Sequence, residues 1–131
     1  MTAQSVILPL PSHHARFIVL NLKDLSIETL KEQLNDLLST RDRLITQHPD
    51  AEIKTSIAFG PELWAKLYNT TPEGFKQLAP IHGNFEMPVV PADVLIHIAS
   101  ARADLCFALS QSFFEGIQDQ VEVLDERVCF R

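Results

Sequence analysis

The stretch PADVLIHIASARADLCFALSQSFFEG, residues 91–116, decides the fold because a strand pattern changes into a helix pattern within it. Residues 94–99 are nearly all apolar, which is typical of a β-strand covered on both faces. From Leu105 the period changes to steps of three and four, which predicts a helix packed against a sheet. The packed face of this helix is expected to consist of Leu105, Leu109, Ser112, Phe113 and Gly116. Ser100 is the expected N-cap, and Asp104 places a favourable negative charge in the first turn.

A strand, a long helix and a second strand are predicted ahead of this stretch. Residues 15–22 form the first strand. Ser26 is the expected N-cap of a helix that continues to His48, and Pro49 ends it because a proline restricts the residue before it. The apolar stripe of the helix consists of Leu30, Leu34, Leu37, Leu38, Leu44 and Ile45. Residues 50–59 alternate in polarity, which predicts the second strand.

A short helix and a long irregular segment follow. Pro61 suits the first turn of a helix that includes residues 62–68. The side chains expected to face inward from it are Leu63, Trp64 and Leu67. Residues 69–91 are rich in Pro and Gly, so they are expected to lack regular structure and to line an access route or an oligomer contact.

The last element and the element order complete the fold prediction. Residues 120–131 predict a fourth strand whose two halves bury different faces, with a bulge near Asp125. The order of strands and helices predicts an α+β, ferredoxin-like fold, in which a four-stranded antiparallel sheet carries two main helices on one face. A chain of 131 residues favours one domain, expected over residues 15–131 after an irregular arm at residues 1–14.

Composition limits the classes of partner. A net charge of −6 and scattered basic residues argue against nucleic acid, and the two predicted central strands, residues 15–22 and 93–100, supply only Phe17 for stacking bases. The N-terminal apolar run is short and contains prolines, so neither a signal peptide nor a membrane span is predicted and a cytoplasmic location is expected. Cys106 and Cys129 form no CxxC pair and are expected to be small buried side chains in a reducing compartment.

Four polar or aromatic residues have a structural and a functional interpretation. His13 and His14 could ligate a metal, but no partner ligand stands at a suitable spacing, which favours a solvated tail. Trp64 could be a platform for a ligand or a packing anchor among leucines. His97 points to the same sheet face as Leu95, where it could be a ligand, a proton shuttle or a hydrogen-bonded core histidine. No glycine-rich phosphate loop, GxSxG or HExxH motif occurs.

Three short stretches occur in a fixed order: Phe59 to Trp64, Ala92 to Ala99, and Phe130 with Arg131. Together they resemble the N-terminal half of the dye-decolourising (DyP-type) peroxidases, a family of haem enzymes, and the similarity extends from Ala15 to the end of the chain. The resemblance implies two ferredoxin-like halves whose sheets pack face to face. Such packing would cover the sheet face opposite the helices.

The resemblance also implies a haem b cofactor and three catalytic groups. These are the aspartate of a GxxDG motif that assists cleavage of hydrogen peroxide, a distal arginine and a proximal histidine that ligates the iron. In the family the motif follows soon after a Phe-Arg pair like Phe130 and Arg131. None of the three groups is found, so we assign no catalytic, cofactor-binding or metal residue to this chain. We expect a truncated chain, with haem bound mainly by the missing C-terminal half.

The complete protein is expected to be a homo-oligomer that uses hydrogen peroxide to oxidise an organic reductant such as a bulky dye, a phenol or a porphyrin-like molecule. This chain would supply a scaffold and a pocket wall and would be inactive alone. Two alternatives stay open. One is a stand-alone dimeric α+β barrel domain that binds a small ligand or regulates a partner, and the other is an inactive structural domain.

Overall fold

A computed structural model describes residues 3–7 and 12–131 of the chain. The described residues contain the strands β1 (His14–Leu22), β2 (Lys54–Phe59), β3 (Val94–Ser100) and β4 (Val121–Phe130). They also contain the helices α1 (Ile27–Gln47), α2 (Pro61–Tyr68) and α3 (Ala103–Phe114), with short 3-10 turns at Pro49–Ala51 and Gln118–Gln120. All strand pairs are antiparallel, and the order β2-β3-β1-β4 confirms the predicted ferredoxin-like α+β fold.

The two sides of the sheet have different side chains because alternate residues of a strand point to opposite faces. We call the side packed against α1 and α3 the helix face. It carries Thr55, Ile57, Phe59, Val94, Ile96, Ile98, Arg16, Ile18 and Leu20. We call the other side the open face. It carries Lys54, Ser56, Ala58, Leu95, His97, Ala99, Ala15, Phe17 and Val19, with Asp125, Arg127 and Cys129 from β4.

Helix α1 begins and ends close to the predicted residues. The Ser26 hydroxyl accepts a hydrogen bond from the Thr29 amide at 3.1 Å, which confirms the predicted N-cap. The predicted inner stripe is confirmed for the buried residues Leu30, Leu34 and Leu37. Ile45 was expected there too, but it is 39% exposed because it lines a groove beside β2. The second strand begins at Lys54, four residues later than predicted, because the 3-10 turn comes first.

The predicted cap of α3 is wrong. Arg102 precedes the helix, while the Ser100 hydroxyl donates to the Ala51 carbonyl at 2.6 Å and accepts from the Arg102 amide at 3.1 Å. Ser100 therefore ends β3 and ties it to the 3-10 turn. The buried side chains of α3 are Leu105, Cys106, Leu109, Ser110 and Phe113. Gly116, expected on that face, lies beyond the helix end with a φ of 81°, which suits a glycine after a helix.

The predicted bulge in β4 is present. Val19 pairs with Asp125 whereas Leu20 pairs with Val123, so Leu124 is the additional residue. The expected division of β4 between two faces is wrong, because the bulge resets the alternation and places Val123 and Val128 on the same side. Cys129 was expected to be buried but is exposed, since β4 is an edge strand and the open face has no helix over it.

The segment between α2 and β3 has no helix or strand, as predicted, and contains one bridge between Ile81 and Met87. The backbone at the end of this segment packs closely against Gly60. A Cβ at residue 60 would lie only 2.0 Å from the Ala92 carbonyl oxygen. Only a glycine permits this approach. Within the described residues no helix has the length and apolar character that crossing a membrane requires.

Candidate functional site

Three rows of side chains cross the open face, because residues paired between strands point to the same side. The central row is Ser56, His97, Phe17 and Arg127. The row on one side of it is Ala58, Leu95, Val19 and Asp125, and the row on the other side is Lys54, Ala99, Ala15 and Cys129. The two middle strands thus contribute apolar and aromatic groups, and the two edge strands contribute most of the polar ones. This arrangement is typical of a protein interface.

His97 and Phe17 form the centre of this surface. Their rings are stacked with centroids 4.1 Å apart and planes inclined by 18°. Burial lowers the pKa of His97, which favours the neutral imidazole. No hydrogen bond joins its ring to another described residue, so the interpretation as a hydrogen-bonded core histidine is wrong. The ring lies half-buried because neither long helix covers this side of the sheet.

The rim of the open face is charged. The Arg127 guanidinium donates to the Asp125 carboxylate at 3.0 Å, and both residues are exposed. Two strands away, Leu95 of β3 is 37% exposed in the apolar centre. Apolar groups surrounded by charged ones can become buried against a partner without leaving an unpaired charge inside the contact. The open face is therefore suited to binding a second protein surface of complementary shape.

Trp64 belongs to an aromatic groove at the end of β2. Its ring contacts Phe59, Tyr68 and Phe75, with the Tyr68 centroid 4.4 Å away. The groove has a volume of about 620 Å³ and is lined by Gln4, Ile57, Ala58, Phe59, Trp64, Tyr68, Pro72 and Phe75. Within the described part of the chain the buried Trp64 Nε1 has no hydrogen-bond partner. Trp64 is thus a packing residue beside an accessible concavity.

The described residues do not by themselves fit a histidine-ligated haem. A porphyrin needs an axial ligand that points into a cavity of its own width. His97 is stacked on Phe17, and the largest concavity beside the sheet, at Trp64, has no histidine in its lining. His14 is the first residue of β1 and His13 is exposed beside it. Among the described residues no group of three or more His, Cys, Asp or Glu side chains could hold a metal ion.

The two cysteines differ in their surroundings. Cys106 is a residue of α3 that is buried against the helix face, with 4% exposure. Burial raises the pKa of its thiol to about 11. It is therefore a protonated packing residue at neutral pH. Cys129 is exposed at the edge of the sheet, and both thiols are free.

The N-terminal segment makes a contact that no pattern in the sequence predicts. The side chains of Gln4 and Ser5 bind the outer edge of β2, although residues 1–14 were expected to form an irregular arm. Part of that arm, including Pro9 and Pro11, lies outside the described residues. No periodicity or motif marks Gln4 and Ser5, because the signal for this contact is the register of a strand fifty residues away.

Comparisons with known proteins agree with this architecture. Residues 4–131 match the family model described as Dyp-type peroxidase, N-terminal. The chain is 27% identical over 130 residues to a dye-decolorizing peroxidase of Mycolicibacterium paratuberculosis, covering 98% of this chain and 36% of that protein. A dye-decolorizing protein from V. cholerae has a similar structure, with a TM-score of 0.90 and 26% identity over 98% of this chain and 44% of its own.

A third similar protein carries a cofactor. A variant of DypB from Rhodococcus jostii RHA1, solved in complex with heme, matches with a TM-score of 0.77 and 26% identity over 98% of this chain and 43% of that one. The chain thus spans between about a third and a half of the length of these relatives. Because the family model matches nearly the whole chain and the fold agrees with it, this protein belongs to the Dyp-type peroxidase N-terminal family.

Proposed function

We propose that this chain is the N-terminal half of a haem-dependent peroxidase, and that its open face is the contact surface for the C-terminal half. The observation that carries the proposal is the apolar centre of the open face, where Phe17, Val19 and Leu95 lie between Lys54 of β2 and the charged residues Asp125 and Arg127 of β4. A sheet face of this composition requires a cover in a finished protein. The relatives, which are more than twice as long, have additional chain that could supply one.

The residues of this half indicate which role each half would have. His97 is stacked on Phe17 and the groove at Trp64 has no histidine in its lining, so haem b would be bound mainly by the C-terminal half and would supply the oxidising power for the reaction with hydrogen peroxide. This half would hold the second sheet in place through the stacked pair of His97 and Phe17. The charged rim at Asp125 and Arg127 would fix the orientation of the two halves.

The reductants and the assembly are part of the same proposal. The complete protein would oxidise bulky dyes, phenols or porphyrin-like molecules, and it would be a cytoplasmic homo-oligomer. Residues 15–131 would form one half-domain of a two-half protein, with residues 1–14 as its N-terminal arm. The segment at residues 69–91 fits an oligomer contact, because Phe85 is 90% exposed and Leu78 is 69% exposed.

The test compares the complete gene product with chain 1–131. We expect the complete protein to bind haem, with the Soret absorption of a histidine-ligated iron, and to bleach a bulky dye only when hydrogen peroxide is present. Chain 1–131 mixed with haemin and peroxide should do neither. Robust turnover by chain 1–131 would contradict the proposed location of the iron ligand, and an inactive, haem-free complete protein would contradict the peroxidase function.

A further inference from the structure

The outer edge of β2 is closed by side chains instead of by another strand. β2 is the last strand on its side of the sheet, so alternate backbone groups point away from β3. In the middle of β2 these groups are the N–H and C=O of Thr55 and Ile57. Unpaired groups of this kind form a template for pairing with another strand.

Two residues of the N-terminal segment bind all four of these groups. The Gln4 side-chain amide accepts from the Ile57 N–H at 2.7 Å and donates to the Ile57 carbonyl at 2.9 Å. The Ser5 hydroxyl accepts from the Thr55 N–H at 3.1 Å and donates to the Thr55 carbonyl at 3.2 Å. Each side chain presents a donor and an acceptor together, as the backbone of a neighbouring strand would.

The segment that provides them is itself anchored. We call residues 3–7 the covering segment. The Ile7 amide donates to the Gln4 carbonyl at 3.0 Å, which closes a turn, and Val6 is only 8% exposed. Gln4 and Ser5 therefore approach β2 from a fixed turn and not from a fully extended tail.

Within the part of the chain that the structure describes, β2 has little other protection of its edge. Its sequence KTSIAF contains a single charged residue, Lys54, and its pairing with β3 has no bulge. The opposite edge strand, β4, contains a bulge and four charged residues, namely Glu122, Asp125, Glu126 and Arg127. Charges and bulges are the usual means of preventing edge strands from pairing. The covering segment thus performs at β2 the task that charges and a bulge perform at β4.

We propose that the β2 edge is a strand-addition surface that the covering segment keeps closed, and that β2 of a second copy of this chain binds there when the segment is released. An antiparallel pair centred on Ser56 would place Thr55 opposite Ile57 of the other copy. This pairing uses the same four backbone groups that Gln4 and Ser5 now bind. Lys54 would stand opposite Ala58, so no like charges oppose it.

Space for the added strand exists along the edge. Concavities of about 620 Å³ and about 500 Å³ flank Gln4, and Ile57 lines both. Besides Gln4 and Ser5, their walls come from α1, α2, β2 itself and the segment after α2, and apolar side chains form much of them. Displacing Gln4 would therefore join two existing concavities beside the strand.

The test uses chain 1–131 with Gln4→Ala and Ser5→Ala combined. Hydrogen exchange of the Thr55 and Ile57 amides should become about tenfold faster or more in dilute samples, because each loses its only acceptor. At higher concentration, sedimentation should detect a dimer that the unaltered chain does not form. Adding Ala58→Lys to the double variant should remove this dimer, since Lys54 and the new lysine would then stand opposite each other.

A matched control separates this edge from the open face. Ser39→Ala with Gln47→Ala makes the same chemical changes at exposed positions of α1, and the open face is identical in both double variants. The control should leave both exchange and association unchanged. Unchanged exchange at Thr55 and Ile57 in the Gln4 and Ser5 variant would overturn the closing role. Faster exchange with no added association, or association that Ala58→Lys leaves intact, would overturn the pairing with a second copy through β2.

Discussion

The two faces of the sheet are built from alternate residues of the same strands, yet they differ in what covers them. On the helix face Ile18, Ile96 and Ile98 are fully buried under α1 and α3. On the open face Leu95 is 37% exposed and His97 is half-buried on Phe17. The helix face supplies the hydrophobic stabilisation of this chain. The open face has the composition of a contact surface, which makes it the place to look for a partner.

The largest expected effect comes from one charge placed on either face of β3. Ile96→Asp should unfold the chain, because an unpaired carboxylate in the core costs several kcal/mol. Leu95→Asp, one residue away, should leave it folded, since the new carboxylate keeps contact with water. Circular dichroism during thermal unfolding distinguishes the two variants. Normal melting of Ile96→Asp would show that the helix face is not the buried core. Unfolding of both variants would show that the open face does not tolerate a charge either.

The two free cysteines offer a comparison without any change to the core. Cys129 should react with an alkylating reagent at the rate of an unprotected thiol, because it is exposed on the open side of β4. Cys106 is buried with a pKa of about 11, so it should react only through opening of the fold. Opening that costs about 5 kcal/mol slows the reaction by roughly a thousandfold or more.

Timed alkylation followed by mass spectrometry measures both rates. Cys129→Ser should remove the fast phase and leave the slow one, which assigns the phases to the two thiols. Equal rates in the unaltered chain would show that α3 does not seal the helix face.

A smaller effect is expected from neighbouring truncations in β1. Ile18→Ala removes buried methyl groups from the helix face and should lower the free energy of unfolding by about 2–5 kcal/mol. Val19→Ala, on the open face, should lower it by less than about 1 kcal/mol. Chemical denaturation at equilibrium gives both values. Similar losses for the two variants would indicate that the open face is as well packed as the helix face.

The smallest effect concerns pH. Burial lowers the pKa of His97 below its ordinary value of 6.5, so between the lowered pKa and 6.5 the unfolded chain binds more protons than the folded chain. The contribution of His97 should therefore make the chain less stable as pH falls through this window. His97→Phe, which keeps a ring against Phe17, should abolish that contribution. His82→Gln, in an exposed loop, serves as the control and should retain it; an unchanged pH profile in His97→Phe would contradict the assignment.

Local patterns were sufficient to predict much of this fold. The cap at Ser26, the side of the sheet on which His97 lies and the bulge near Asp125 each follow from a few neighbouring residues. Errors arose where contacts between distant segments decide the outcome. Ser100 binds Ala51 instead of capping α3, and Cys129 is exposed because its strand is at an edge. Neither the bond between Ser100 and Ala51 nor the edge position of β4 can be recognised from neighbouring residues in the sequence.

Only part of the candidate site was predictable, because it too depends on contacts between distant segments. Strand parity separates the open face from the helix face, but it does not specify which open-face rings stack or which segment covers an edge. The stacking of His97 on Phe17 depends on the register between β1 and β3, and the role of Gln4 depends on the path of the chain before β1. Catalytic groups were not assigned to this chain because the motifs that would supply them are not in its sequence.

The most direct test of the central claim asks whether the open face is covered in the complete protein. Val19→Cys, introduced together with Cys129→Ser, places a new thiol in the apolar centre of that face, and its labelling is read from the peptide that contains residue 19. In chain 1–131 it should be alkylated readily, and in the complete protein it should be protected by roughly a hundredfold or more until denaturant is added. Equal labelling in both proteins would show that this face meets no second half, and the proposed arrangement would be wrong.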